Sequence, residues 1–187
     1  MEKRNIISIS GEPASGKGTV AKIITKKLNF EIYRNGEYFR KLAKEHNMDI
    51  TTFNKYVEGH PEIDIQVENS AKEYAKTHNN FVIDARLGWY AVPDSFKVYL
   101  RVSIDVAAER AFHDESRKET EKFSSVEEEK QDLETRYNLE NERYFKVYGI
   151  HKEDLSNYDL VIDTTNRNPE DIANEIIEKY NSWLAEK

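Results

Sequence analysis

A glycine-framed loop near the N-terminus carries the residues best suited to chemistry. It runs from Gly11 to Thr19 as Gly-Glu-Pro-Ala-Ser-Gly-Lys-Gly-Thr, after a short β-branched run and before an amphipathic helix. Such a loop aims several backbone N–H groups at one point, and the positive end of the following helix adds to them. The Lys17 ammonium group supplies a mobile charge for terminal phosphates. The pattern predicts a binding site for a nucleoside triphosphate.

Two positions in this loop are unusual. Lys17 is followed by Gly18, whereas the common form of the loop has a Ser or Thr whose hydroxyl contacts Mg²⁺. The hydroxyl comes one residue later, at Thr19, and this ending resembles small nucleoside monophosphate kinases rather than GTPases or motor ATPases. Glu12 places an acid inside a phosphate loop, where its charge is unfavourable, so we expect its side chain to point to solvent.

The elements that must position the loop alternate between strand and helix. Short apolar runs predict strands at 5–10, 31–33, 81–84, 97–102 and 160–163. Helical patterns follow the loop and recur at about 36–46, 51–58, 62–77, 105–114 and 125–148, with a closing helix capped by Asn168. This alternation predicts an α/β fold with a parallel sheet and helices on both faces. Such folds bind ligands at the carboxyl ends of their strands.

Composition excludes several classes of protein. The chain has 187 residues, a formal net charge of −7 and no cysteine. The length suits one domain, and the acidity argues against a nucleic-acid surface. Five scattered histidines lack metal-ligand spacing, and no apolar run approaches the ~20 residues of a membrane span. The first strand begins almost at once and leaves no room for a signal peptide, so we expect a cytoplasmic protein.

Charged residues after the third predicted strand are candidates for a second phosphate site. Asp84 ends that strand at the same sheet edge as the loop, where an acid can orient water around Mg²⁺ or help to fix an acceptor. The alternative is a helix cap or a turn residue. Arg86 would project in the same general direction, and its planar guanidinium suits bidentate capture of phosphate. Arg40 begins a helix-rich segment, and its periodicity fits a solvated arginine equally well.

Arginines on the later helices are weaker candidates. Arg136 and Arg143 are seven residues apart on the long helix, which brings them to nearly the same angular position, about 10 Å apart along the axis. They could reach two phosphates, but spacing alone favours solvated side chains. Arg110 precedes a charged stretch that includes Lys118 and Lys122 and that we expect to form an exposed, mobile flap.

Several segments together resemble cytidylate kinases, most closely the compact type common in archaea. The resemblance covers about the whole chain and rests on residues 11–19, 35–40, 83–89, 143–150 and 158–164. The loop alone is specific only to P-loop kinases. The Arg-Leu-Gly-Trp segment at Arg86 and the Arg-Tyr-x4-Gly-Ile segment at Arg143 point to the cytidylate branch.

The resemblance implies transfer of the γ-phosphate of ATP to CMP or dCMP, with Mg²⁺ held largely by ATP oxygens and waters near Thr19 and Asp84. It implies that Lys17, Arg136 and Arg143 are catalytic, and that Arg40, Asp84 and Arg86 bind the acceptor. Arg110, Arg136 and Arg143 would belong to a lid that closes over both nucleotides. The ATP-binding residues would be Arg110 together with Gly11, Glu12, Pro13, Ala14, Ser15, Gly16, Lys17, Gly18 and Thr19.

The implied architecture is one P-loop kinase domain over 1–187, acting as a monomer on nucleotides without a nucleic-acid or membrane partner. Its core would comprise about 1–35, 79–112 and 155–187, with an acceptor-binding helical segment at 36–78, a lid at 113–126 and a long arginine-bearing helix to 148. Two departures affect the acceptor pocket. Asn35 stands where related kinases often have a small hydroxyl residue, and the segment Leu87-Gly88-Trp89 is one residue shorter than usual.

Two alternatives stay open at this point. Another small P-loop kinase, acting on AMP, UMP or a metabolite alcohol, would keep every phosphate argument and change only the pocket. A nucleotide-dependent switch is the alternative from a different class. A GTPase should carry an Asn/Thr-Lys-x-Asp string and an Asp-x-x-Gly switch, and neither is evident.

Overall fold

A five-stranded parallel sheet forms the centre of the protein in a computed structural model that describes residues 4–48, 50–115 and 123–186. The strand order is β2-β3-β1-β4-β5, so β1 lies in the middle and is buried along its length. Each of the five predicted strands is confirmed to within one residue at its ends. Their bounds are β1 Ile6–Gly11, β2 Glu31–Arg34, β3 Phe81–Asp84, β4 Phe96–Arg101 and β5 Leu160–Asp163.

Eight α-helices connect and flank these strands in the described residues. Seven of them match the predicted helices, whereas α5 was missed because a helix of four residues is too short to show a period. A 3₁₀ turn at Leu155–Asn157 was also missed. The helices are α1 Lys17–Leu28, α2 Asn35–Glu45, α3 Ile50–Glu58, α4 Pro61–Thr77, α5 Gly88–Ala91, α6 Ile104–Phe112, α7 Val126–Tyr148 and α8 Pro169–Ala185.

Side chains of β1 alternate between two cores, as the pleat of a strand requires. Ile7 and Ile9 pack into the cluster that includes residues of α1 and α8, and Ile6 packs into the cluster built on α4 and α5. Helices therefore cover both faces of the sheet, as predicted. Ser8 is small enough for α5 to approach closely, since a Cβ at Gly88 would stand 3.1 Å from the Ser8 Cβ.

The loop after β1 needs glycine for a steric reason. Gly11 has φ +148, and a Cβ there would stand 2.3 Å from the Leu100 carbonyl oxygen of β4. Because β1 pairs with β3 on one side and β4 on the other, the loop emerges between Asp84 and Arg101, which end those strands. The sheet thus brings both predicted phosphate regions to one edge.

Two predictions concern the remaining surface. Half of the predicted lid at about 113–126, including Lys118 and Lys122, lies outside the described residues. In the part of the chain that the structure describes, no helix is both long and apolar enough to cross a membrane.

Candidate active site

The Lys17 ammonium group is held inside the loop. Its side chain begins α1 and the residue is only 7% exposed. The ammonium donates hydrogen bonds to the Gly11 carbonyl at 3.0 Å and the Glu12 carbonyl at 2.7 Å. Burial and, next, the positive charge of Arg86 lower the Lys17 pKa, while Asp84 opposes the shift, and the resulting pKa is about 7. This cation therefore lacks a full negative countercharge, which an anionic phosphate would supply.

The connection that follows β5 holds the loop of residues 11–19 in its curved conformation. Gly16 adopts a left-handed conformation with φ +85 immediately before α1, a geometry that glycine tolerates well. The Thr164 hydroxyl lies 3.1 Å from the Ser15 carbonyl and 2.9 Å from the Arg101 carbonyl, to either of which it can donate. Arg110 in turn donates to the Thr164 carbonyl at 2.8 Å. The structure thus places Arg110 against this connection, on the β5 side of the loop.

The prediction that Glu12 points to solvent is wrong. Its carboxylate accepts a hydrogen bond of 2.6 Å from the backbone N–H of Val102, and its side chain is mostly covered. The reason is that the N–H just beyond the end of β4 needs an acceptor. Arg101 also lies 4.0 Å from the other Glu12 oxygen. The Glu12 carboxylate is therefore bound to the backbone at the end of β4.

The Asp84 carboxylate lies close to Gly18. Asp84 ends β3, and its Oδ2 atom would stand 3.7 Å from a Cβ at Gly18. A hydroxyl carried by residue 18 would therefore reach this carboxylate. Thr19, which carries the nearest hydroxyl after Lys17, is exposed. No group of three or more His, Cys, Asp or Glu residues is arranged to hold a metal ion within the described ranges.

Arg86 belongs to a buried charge cluster that sequence analysis did not foresee. Glu140 on α7 accepts through the same oxygen, Oε2, from Arg86 Nε at 3.0 Å and from Lys152 Nζ at 2.8 Å. Lys152 is 4% exposed, and its ammonium also lies 4.4 Å from the ring centre of Tyr137. Burial raises the pKa of Glu140, but the two cations outweigh it and hold that pKa well below its usual range.

This cluster adjoins the loop. Arg86, Glu140 and Lys152 all lie close enough to Lys17 to influence its pKa, the two cations lowering it and the carboxylate raising it. Three cations therefore gather at one sheet edge, Lys17 and Lys152 buried and Arg86 partly exposed, and the mostly covered Glu140 carboxylate is shared between two of them. Such an arrangement suits a ligand that carries several negative charges.

The two arginines of α7 have different surroundings. Arg143 Nε lies 2.9 Å from Oδ2 of Asp64, a buried residue of α4. Arg136 lies 3.4 Å from Asp132 of its own helix and is more exposed. Arg40 is exposed on α2 and lines a surface cleft, so the structure does not bring it against the Arg86 cluster.

A second buried polar cluster lies between α2, α4 and α7. Asn35 donates a hydrogen bond of 3.0 Å from Nδ2 to Oε1 of Glu68, and both residues are buried. Burial and, to a smaller extent, the nearby Asp64 carboxylate raise the pKa of Glu68, which the Asn35 hydrogen bond lowers in part, and the resulting pKa is about 7. Glu68 therefore binds a proton more readily than an ordinary glutamate. Its position four residues after Asp64 is typical of a solvated helix face, so no pattern in the sequence identifies it as a functional residue.

Replacing Lys17 should reveal the cost of burying its charge. Its folded pKa of about 7 is below the ordinary 10.5, so the unfolded chain binds more protons between these pH values and stability rises with pH there. We expect Lys17→Met to be more stable than wild type by about 4 kcal/mol near pH 7. The difference should shrink towards pH 10, as measured by denaturant unfolding across this range.

The matched control is Lys22→Met, which removes an exposed lysine of the same helix. Its unfolding free energy should stay within about 0.5 kcal/mol of wild type at every pH. A Lys17→Met curve that runs parallel to the wild-type curve would contradict the assigned pKa shift.

Removing the shared carboxylate should destabilise the protein. Glu140→Gln leaves Arg86 and Lys152 buried without their anion, and breaking a buried ion pair in this way costs about 3 kcal/mol. Thermal or urea unfolding measures the loss. Glu142→Gln, at an exposed position of α7, should change stability by less than about 0.5 kcal/mol. Equal effects of the two substitutions would show that the cluster contributes nothing.

Comparison with known proteins places the chain in a family. The model of the cytidylate kinase-like family matches residues 6–166. The cytidylate kinase of Pyrococcus abyssi is 38% identical over 168 residues, which cover 89% of this chain and 88% of that protein. That of Sulfurisphaera tokodaii is 34% identical over 184 residues, covering 97% and 98% of the two chains.

A solved structure supports the same fold. Shikimate kinase from Acinetobacter baumannii matches with a TM-score of 0.62 over 97% of this chain and 95% of that chain. Its sequence identity is 18%, so this likeness concerns the fold alone. Since the family model spans most of the sequence and relatives above 30% identity extend over nearly all of it, the chain belongs to the cytidylate kinase-like family.

Proposed function

We propose that this protein transfers the γ-phosphate of ATP to CMP or dCMP and releases ADP together with CDP or dCDP. The observation that carries the proposal is the gathering of Lys17, Arg86 and Lys152 at the edge where the phosphate loop emerges. One cation lies in the loop and another follows β3, so a donor and an acceptor phosphate can be held side by side. Membership of the family supplies the nucleotide class and ATP as co-substrate.

The chemistry follows from charge neutralisation. An oxygen of the acceptor phosphate attacks the γ-phosphorus of ATP, and the bond from that phosphorus to the β–γ bridging oxygen breaks as ADP leaves. Both partners are anionic, so their repulsion is the main obstacle. Lys17 exchanges the loop carbonyls for phosphate oxygens and neutralises the transferring group. Arg86 holds the acceptor phosphate, and no covalent enzyme intermediate is required.

We propose roles for the other predicted residues on the same basis. Residues 11–19 and Arg110 bind ATP, Asp84 assists Arg86 at the acceptor, Arg40 contacts the acceptor from the surface of α2, and Arg136 and Arg143 act from α7. The Asp84 carboxylate lies over the first turn of α1. This position fits a Mg²⁺ ion that is held mainly by ATP oxygens and waters, with Asp84 and Thr19 nearby. When bound, Mg²⁺ would neutralise phosphate charge.

The proposal extends to the whole protein. We propose a single domain whose core comprises about 1–35, 79–112 and 155–187, with the acceptor segment at 36–78 and the lid at 113–126. It would act in the cytoplasm as a monomer without a nucleic-acid partner. The formal net charge of −7 supports the absence of a nucleic-acid surface.

A coupled assay of ADP release across nucleoside monophosphates tests the activity. ATP with CMP or dCMP should give faster turnover than ATP with UMP or AMP. Lys17→Ala should lower this turnover by at least about 10³-fold, because the charge that neutralises the γ-phosphate is lost. Slow ATP hydrolysis that no monophosphate accelerates would contradict the proposal and favour a nucleotide-dependent switch.

A second test separates the donor site from the acceptor site. Arg86→Ala should raise the KM for CMP by at least about 10-fold and change the KM for ATP by less than about 2-fold, because the guanidinium serves the acceptor. Arg167→Ala, which removes an arginine paired with Glu175 at the surface, is the matched control and should alter neither KM. Equal changes in both KM values would remove Arg86 from the acceptor site.

A further inference from the structure

The second buried cluster contains polar atoms without partners. Oε2 of Glu68, Oδ1 of Asn35 and the hydroxyl of Tyr148 are buried and have no hydrogen-bond partner among the described residues. Burying a polar atom without a hydrogen-bond partner is unfavourable, and such atoms in native proteins call for a specific explanation. Here three of them come from three elements, namely the start of α2, the middle of α4 and the end of α7.

These atoms belong to one place in the fold. Asn35 binds Glu68 directly, at 3.0 Å. Burial raises the pKa of the Tyr148 hydroxyl, and the charges of Glu68 and Asp64 raise it further, so this phenol faces the same carboxylates. Arg143 closes the cluster from α7 through its ion pair with Asp64.

The cluster adjoins the site assigned to the acceptor phosphate. Asn35 directly follows Arg34, the residue of β2 that pairs with Asp84 in β3, so it lies at the same sheet edge. Helix α7 connects the two regions, because Glu140 pairs with Arg86 and Arg143, three residues further on, pairs with Asp64. Tyr144 follows Arg143, and its pKa is raised by burial and then by the charges of Glu140 and Glu68. A nucleotide whose phosphate contacts Arg86 would therefore have its neutral end near Glu68.

The unpartnered oxygens indicate which chemical group of a nucleotide base can bind next to Glu68. Glu68 and Asn35 each offer a free oxygen, and an amide or carboxylate oxygen accepts hydrogen bonds. Two acceptors suit an amino group, which carries two N–H donors. Cytosine has such a group at C4, whereas uracil has an oxygen there, which would face the Glu68 and Asn35 oxygens without a hydrogen atom between them.

We propose that Glu68, held in place by Asn35, determines the base specificity of the acceptor site by accepting a hydrogen bond from the 4-amino group of cytosine. This inference rests on the proposed function and deepens it, because the phosphate arguments alone do not distinguish CMP from UMP. Asn35 accepts the second N–H of the same group through its free Oδ1. Tyr148 provides a hydroxyl that can donate to another oxygen of the base.

The decisive test uses Glu68→Gln with three acceptors. The third is pyrimidin-2-one riboside 5′-monophosphate, which is CMP without the 4-amino group. The substitution replaces one acceptor oxygen by an NH₂ donor, so kcat/KM for CMP should fall roughly 10- to 100-fold. The value for the pyrimidin-2-one nucleotide should change less than about 3-fold, and that for UMP should stay the same or rise, because glutamine can donate to its O4.

The controls separate recognition from structure. Glu73→Gln removes an exposed carboxylate of the same helix and should leave all three values unchanged. The KM for ATP should stay constant in both variants. Equal losses of kcat/KM for all three acceptors would reduce Glu68 to a structural role and overturn the inference, as would an unchanged value for CMP.

Wild-type protein provides an independent check if Glu68→Gln does not fold, which thermal unfolding would reveal. The wild type should prefer CMP over the pyrimidin-2-one nucleotide by at least about 10-fold, and equal use of the two would overturn the inference. Failure of the proposed function would be distinct, because the wild type would then phosphorylate none of the three acceptors.

Discussion

The structure depends on stabilising positive charge that is concentrated at one sheet edge. Lys17, Arg86 and Lys152 are close enough to repel one another, and each lies mostly out of contact with water. Two kinds of partner make this arrangement stable. Loop carbonyls solvate the Lys17 ammonium, and a single carboxylate, Glu140, satisfies the other two. Because Glu140 lies on α7, this helix is required for the charge balance of the site as well as for its shape.

The same helix joins the two polar regions of the protein. Along its second half, Glu140 faces the phosphate cluster, Arg143 contacts Asp64, and Tyr148 contributes to the cluster around Glu68. A change in the position of α7 would therefore alter the surroundings of both ends of an acceptor nucleotide together. The phosphate and base subsites proposed above therefore share one helix.

The sequence predicts what is local and misses what packing decides. The loop conformation, all five strands and seven helices follow from spacing and composition, and the position of Arg86 near the loop follows because Arg86 comes two residues after the end of β3. Glu140 and Lys152 are missed, since an acid on a charged helix and a lysine in a loop have the pattern of surface residues until the fold buries them. The error at Glu12 has a similar origin, because its partner, the N–H of Val102, is 90 residues away.

Thr164 shows how the loop depends on a distant part of the chain. Its hydroxyl contacts the Ser15 and Arg101 carbonyls, and its own carbonyl binds Arg110, so the last strand secures the first loop. An N-terminal fragment that ended before β5 would retain every glycine of the motif and yet lack the brace that sets its curvature. The consensus string alone is therefore a poor guide to where this protein can be divided or circularly permuted. A permissive break must leave β5 and the connection after it joined to the sheet.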